Sequence, residues 1–142
     1  MVFIVQVLKD ELRHKILLEA QHLFLQRGYD RTSLQMIADK VNISKSNLYH
    51  YFKNKEELFY ELTDGAADGL KKLILRFRDK RFDLHTGQRE YQVLLTEEVI
   101  SLLLAEKYGL LLIMEQAHGT RYEDLRSSLI DMVAAKIAPL LA

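Results

Sequence analysis

Between Lys45 and Lys55 the chain carries side chains suited to holding polar edges and anions. On a helix stepping by about 100° per residue with Leu48 pointing inward, Ser46 and His50 point almost directly outward. Asn47 and Tyr49 flank them, and Lys45 sits in the first turn. Such a face offers donors and acceptors for base edges and phosphates, and little that would pack in a core. Lys55 then falls in the first turn of a following helix. There the unpaired backbone N–H groups and the positive helix end already favour an anion, so a phosphate is its natural ligand. From Arg27 to Lys55, six basic residues (Arg27, Arg31, Lys40, Lys45, Lys53, Lys55) stand against Asp30 and Asp39, a local balance of +4 in a chain whose formal charge is zero.

These residues need a scaffold, and the local signals supply one. Asp10 to about Arg27 reads as a helix with Ile16, Ala20, Leu23 and Phe24 inward and Gly28 as its left-handed stop. Thr32, three residues before Gln35, is placed to cap a helix starting near Ser33, whose inner stripe is Leu34, Ile37, Ala38 and Val41. Ala38 is small enough to let a second helix cross closely. Asn42 tolerates the left-handed conformation that a short turn requires. Ser44 caps the next helix, predicted over residues 45–51, with Ile43 beneath its start. Asn54, with Glu57 at the capping-box position, opens a third helix. Two short helices joined by a tight turn and followed by another form a helix-turn-helix layout.

The pattern of Ile16, Ala20, Leu23, Phe24, Gly28 and Tyr29, then Thr32, Ile37 and Ala38, then Ile43, Ser44 and the run LYHYFKNKEEL, resembles the N-terminal domain of the TetR family of bacterial transcriptional regulators. The likeness covers roughly residues 13 to 62 and joins core, turn, cap and contact positions. Asn42 stands where that family usually has Gly, a departure that an αL-tolerant residue absorbs. The resemblance implies that Ser46, Asn47 and His50 read or approach bases. It implies that Lys45 serves either bases or phosphates, and that Thr32, Ser33, Tyr49, Tyr51 and Lys55 hold phosphates. It also implies an apolar pocket with a few polar groups in the body. By their chemistry Tyr91, Thr96, Tyr108, Glu115, Gln116 and His118 are its candidate lining, although Leu, Met and Tyr stripes there are more often core, and His118 suits a helix end.

Length and composition set the bounds. A chain of 142 residues, 49% apolar, can bury a core of one or two small domains. The absence of Cys excludes disulfides and thiolate metal sites and fits a reducing, cytoplasmic setting. No stretch approaches 18 uninterrupted apolar residues, so no membrane span is expected. Met1 to Val7 is too short and lacks the basic start of a secretory signal; an irregular or extended lead-in, packed on the protein or on a second copy, is expected. The five histidines lack metal spacing, and no phosphate loop or nucleophile elbow is present, so no metal, cofactor or catalytic site is expected and the chain does not read as an enzyme.

Past residue 55 the third helix continues through Leu58, Leu62, Ala66, Leu70 and Leu73 to about Arg78, with Gly65 and Gly69 lowering its propensity. Residues 79–86 read as a loop, 87–107 as a strongly apolar helix and 108–118 as a shorter one. Thr120 with Glu123 caps a last helix that Pro139 should end or kink. The expected architecture is all-α: a head over 1–54 and a helical ligand-binding and dimerisation body over 55–142. The body in the resembled family is usually longer, with two further helices making the dimer interface. Pairing here therefore falls to other helices, or the chain is a shortened form whose dimerisation is impaired. The expected function is a dimeric regulator, a repressor in preference to an activator, that binds a near-palindromic double-stranded operator and is released by a small-molecule effector. The alternative is an interaction protein with the same head that pairs with a longer relative or another protein.

Overall fold

In a computed structural model, residues 1–78 and 89–141 are described, with the side chains of 89–95, 137, 139 and 140 left out. The described residues form six helices and no strand: α1 (Val2–Arg27), α2 (Leu34–Lys40), α3 (Lys45–Leu48), α4 (Lys55–Arg78), α5 (Arg89–Gln116) and α6 (Glu123–Leu141). The predicted loop over 79–86 and the helix start at Gly87 lie outside the described residues. The chain divides into two compact units, Met1–Leu62 and Thr63–Ala142.

In the first unit, Ile16, Ala20, Leu23 and Phe24 of α1 are buried with Ile37 and Ala38 of α2, Leu48 of α3, Phe52, and Leu58 and Phe59 of α4. These are the inward positions that the helical spacing selects. Gly28 ends α1 at φ 95°, and its N–H donates to the Phe24 carbonyl. The lead-in departs from expectation: residues 2–9 are helical, and Met1, Val2, Phe3, Ile4, Val5, Val7 and Leu8 all remain exposed. β-branched residues lower helix propensity, but a helix already nucleated by the α1 core gains a hydrogen bond for each residue added, and no Gly or Pro stops it before Met1.

In the second unit the buried side chains are Ala66, Ala67, Leu70, Leu73 and Ile74 of α4, Leu110, Leu112 and Ile113 of α5, Ala117, Tyr122, and Met132 of α6. Gly65 and Gly69 admit α5. A Cβ built on Gly65 would lie 2.8 Å from the Glu106 carboxyl carbon, and one on Gly69 would lie 3.1 Å from a methyl of Leu102. The two glycines lower helix propensity, and the close approach of α5 accounts for them. α5 is one helical run interrupted at Glu106 (φ −122°, ψ 22°), next to the predicted break between 107 and 108. Though read as strongly apolar, α5 leaves Ile100, Leu103, Leu104 and Leu111 exposed, because its inward positions alone are covered.

α6 runs through Pro139 to Leu141, so the proline does not end it. Its fixed φ is itself helical, and its cost is one missing hydrogen bond and crowding of a preceding carbonyl. The turn before α6 differs in detail from a simple capping box. Thr120 Oγ1 accepts from the Tyr122 N–H and donates to the Ala117 carbonyl, while Glu123 accepts from the Gly119 N–H at 3.1 Å and meets His118 Nδ1 at 2.7 Å. These two partners, the Gly119 N–H first, hold the Glu123 carboxyl below the usual carboxylate range.

Candidate nucleic-acid interface

The turn between α2 and α3 is built as its residues dictate. Asn42 adopts φ 56°, its N–H donates to Asp39, and the Ile43 N–H donates back to the Ala38 carbonyl at 3.0 Å. This is a Schellman closure with Asn in the left-handed position. The Ser44 hydroxyl then accepts from the Asn47 N–H at 3.0 Å, fixing the start of α3. Regular α3 is shorter than the predicted 45–51. After Tyr49 the backbone bonds tighten, with His50 N–H donating to Asn47 and Tyr51 N–H to Leu48. The direction of the face survives this tightening. Leu48 and Phe52 are buried, Lys45, Ser46, Tyr49 and His50 are exposed, and Asn47 and Tyr51 are half-buried beside them.

Two sequence assignments change at the start of α2. Ser33, not Thr32, is the cap: its side chain accepts from the Met36 N–H at 3.2 Å, and it is exposed. Thr32 is buried, and its hydroxyl donates to the carbonyls of Gly28 (2.8 Å) and Leu23 (3.3 Å). The hydroxyl expected to hold a phosphate therefore fastens the loop after α1 to that helix. Gln35 does not reach back toward the cap; it bonds Asp39 at 2.7 Å.

At the start of α4, Asn54 accepts from the Glu57 N–H at 2.7 Å as expected, and Glu57 reaches back one residue further than a capping box, to the Lys53 N–H at 2.6 Å. The half-buried Lys55 ammonium donates to the Tyr29 carbonyl at 2.7 Å and lies 4.3 Å from the centre of the Tyr29 ring. Tyr29 in turn packs on Phe24 and Phe59, with ring centres 5.3 and 5.0 Å away, and burial raises its phenol pKa. Lys55 is thus held in place by the head itself before any anion arrives. Arg13 supplies a second brace, paired with Glu61 through both guanidinium nitrogens and lying 4.7 Å over the Phe52 ring. Neither brace was read from the sequence: Arg13 to Glu61 and Tyr29 to Lys55 are long separations with no local signature.

The body treats its candidates differently. Two clefts stand out among the described residues, each within the second unit. One, of about 660 Å³, lies between α4 and α5, with Leu73 and Leu102 among its apolar walls and Lys72, Arg76, Glu97 and Glu98 at its polar edge; Arg76 and Glu98 pair at 3.0 Å. The other, of about 580 Å³, is lined by Asp64, Asp68, Lys71, Arg121, Tyr122 and Ser128 among others. Thr96, Tyr108, Glu115, Gln116 and His118 line neither, and the side chain of Tyr91 lies outside the described residues. Turning Leu110, Leu112, Ile113 and Ala117 inward forces Tyr108 and Glu115 outward, and His118 is spent on Glu123 in the turn after α5. Arg121 and the Tyr122 hydroxyl both bond Asp64, a cluster that spacing does not reveal. Among the described residues no group of His, Cys, Asp or Glu is placed to hold a metal, and no helix is long and apolar enough to cross a membrane.

Comparison with known proteins agrees with this geometry. Residues 16–62 match the family model described as bacterial regulatory proteins, tetR family. The chain is 33% identical over 73 residues to IcaR of Staphylococcus epidermidis, the HTH-type negative transcriptional regulator of the biofilm operon icaADBC; the match covers 51% of this chain and 40% of that protein. The chain thus spans less than half the length of the curated relatives it matches. Among solved structures, NalD of Pseudomonas aeruginosa, the secondary repressor of the MexAB-OprM multidrug efflux pump, is similar with a TM-score of 0.57 and 26% identity, over 94% of this chain and 68% of NalD. AmtR of Mycobacterium smegmatis is similar with a TM-score of 0.58 and 26% identity, over 89% of this chain and 64% of AmtR. The head of this chain, residues 16–62, is thus similar to the N-terminal domain of the tetR family of bacterial regulatory proteins.

Proposed function

We propose that the chain is a DNA-binding transcriptional regulator, acting as a repressor, whose α3 face enters the major groove of a near-palindromic operator as two copies. The observation that carries this reading is the capped α3 turn, with Lys45, Ser46, Tyr49 and His50 exposed above buried Leu48 and Phe52. Ser46, Asn47 and His50 read base edges. Lys45, Tyr49, Tyr51, Ser33 and Lys55 hold phosphates. Lys55 has one N–H on the Tyr29 carbonyl and further N–H groups to offer, so a phosphate adds to its partners without displacing one. Two half-sites one helical turn apart, about 34–36 Å, match a twofold pair of such helices. The roles of IcaR and NalD, negative regulator and repressor, support repression as the sign.

Release by a small molecule is the finer part of the proposal. α4 carries Lys55 in its first turn and borders the 660 Å³ cleft through Gly69, Leu73 and Arg76. A molecule that fits the cleft in only one position of α4 shifts the population of DNA-competent states by its difference in affinity for them. The test is an operator titration by fluorescence anisotropy across salt concentrations, using wild type and Lys55→Met. We expect the variant to bind all sites more weakly and to lower the salt slope by about one phosphate contact. Unchanged affinity and slope would remove Lys55 from the interface.

A further inference from the structure

We propose that Arg13 is a positioning residue for base reading, which acts not by touching DNA but by fixing the direction of the α3 face through the Phe52 ring and Glu61. The proposal rests on the base-reading function above and names a side chain that sets its geometry. α3 has four residues of regular helix, Lys45–Leu48, far below the ~12–15 that a helix needs to hold itself in water. Its direction is therefore set by what its inward residues rest on. The near end is fixed locally, because the Ser44 hydroxyl accepts from the Asn47 N–H and Leu48 is fully buried. The far end, which carries His50 and Tyr51, hangs on Phe52: the Tyr51 and Phe52 N–H groups both donate to the Leu48 carbonyl, and Phe52 is 1% exposed.

The Arg13 guanidinium lies over that ring, 4.7 Å from its centre. Its two terminal nitrogens donate to the two carboxylate oxygens of Glu61 on α4. A planar group pinned in such a fork cannot turn freely, so its face stays on the ring. One side chain thus joins α1, the segment that ends the α3 turn, and α4. Magnitudes separate orientation from stability here. The Arg13 and Glu61 side chains are 39 and 33% exposed, and an ion pair this open to water contributes little to folding. The fork and the cation on a ring face are directional even where they stabilise little. Removing the plane while keeping the charge should therefore leave the head folded and loosen residues 49–52.

The test pairs Arg13→Lys, which keeps the charge and loses the plane, with Arg13→Gln, which loses both. Amide hydrogen exchange of the full chain without DNA, read by NMR, compares Tyr51 and Phe52 with Gly28 and Ile43, whose N–H groups donate to the Phe24 and Ala38 carbonyls. In Arg13→Lys the first two should exchange at least about 10-fold faster, and the second two should stay within about 2-fold of wild type. Titration by fluorescence anisotropy should show the same variant losing about 10-fold on an operator selected from a random pool and no more than about 2-fold on a scrambled duplex, at an unchanged salt slope. Arg13→Gln should exceed it in exchange and in lost discrimination. A uniform rise at all four amides, or none, overturns the proposal, since a brace that only stabilises the head acts on them alike. Faster exchange at Tyr51 and Phe52 with discrimination intact overturns it as well. A wild type that does not discriminate removes the base reading and the proposal with it, while exchange, taken without DNA, still reports whether Arg13 holds Phe52.

Discussion

Thr32→Val separates a structural hydroxyl from a phosphate-binding one. The substitution keeps shape and volume and replaces the hydroxyl with a methyl group. In the folded head Thr32 is 1% exposed, and its hydroxyl donates to the Gly28 carbonyl at 2.8 Å and to the Leu23 carbonyl at 3.3 Å. A neutral hydrogen bond contributes roughly 1 kcal/mol net, and leaving a buried carbonyl without its donor raises the cost toward 2 kcal/mol. The longer contact to Leu23 is weak by geometry and adds little. We therefore expect a loss of about 1–2 kcal/mol, or about 4–16 °C in the melting of a domain this small. Urea denaturation followed by circular dichroism gives the value, with the slope m unchanged because the surface exposed on unfolding is the same. The salt dependence of operator binding should not move, since no phosphate contact is lost. Stability within 0.3 kcal/mol of wild type (on the order of the error of such a comparison), together with a salt slope lowered by about one contact, would refute the assignment and return Thr32 to the interface.

Other expectations follow from single contacts. Asn42→Gly should be neutral or stabilising by a few tenths of a kcal/mol, and Asn42→Val should cost about 1–2 kcal/mol, because a β-branched residue is strained at φ 56°; paired chemical melts check both. Tyr122→Phe removes the hydroxyl bond to a half-exposed Asp64 and should lower stability by about 0.5–1 kcal/mol, measured in the same way. The Glu123 carboxyl is held below its ordinary pKa by Gly119 and His118, so its contribution is present above the unfolded value and is lost as pH falls through the folded one. Melting temperatures of wild type and Glu123→Gln should therefore differ at pH 6 and converge toward pH 3, whereas a constant difference would contradict the linkage.

The head was legible in the sequence wherever a signal is settled by neighbours a few residues away. Asn42, Ser44 and Asn54 act on backbone groups within three residues or so, and their types alone specify what they do. Thr32 and Ser33 show the limit of that reading. Both are good caps, and the choice between them depends on whether Thr32 turns toward α1, a tertiary fact. Lys55 on Tyr29 and Arg13 on Glu61 were hidden for the same reason. In the body, apolar residues surround α5, so periodicity could not say which side meets α4 and α6. Of the pocket candidates, chosen by chemistry, Thr96, Tyr108 and Glu115 are exposed on α5. Gly65 and Gly69 were visible as anomalies, but their meaning required the helix that crosses them.

Base reading by α3 is the central claim, and it is tested most directly by selecting the preferred operator from a random pool and comparing it with a scrambled duplex for wild type, His50→Ala and Asn47→Ala. Each variant should lose about 1–3 kcal/mol on the selected site and little on the scrambled one, with an unchanged salt slope. Equal losses on both duplexes, or none on either, would contradict it.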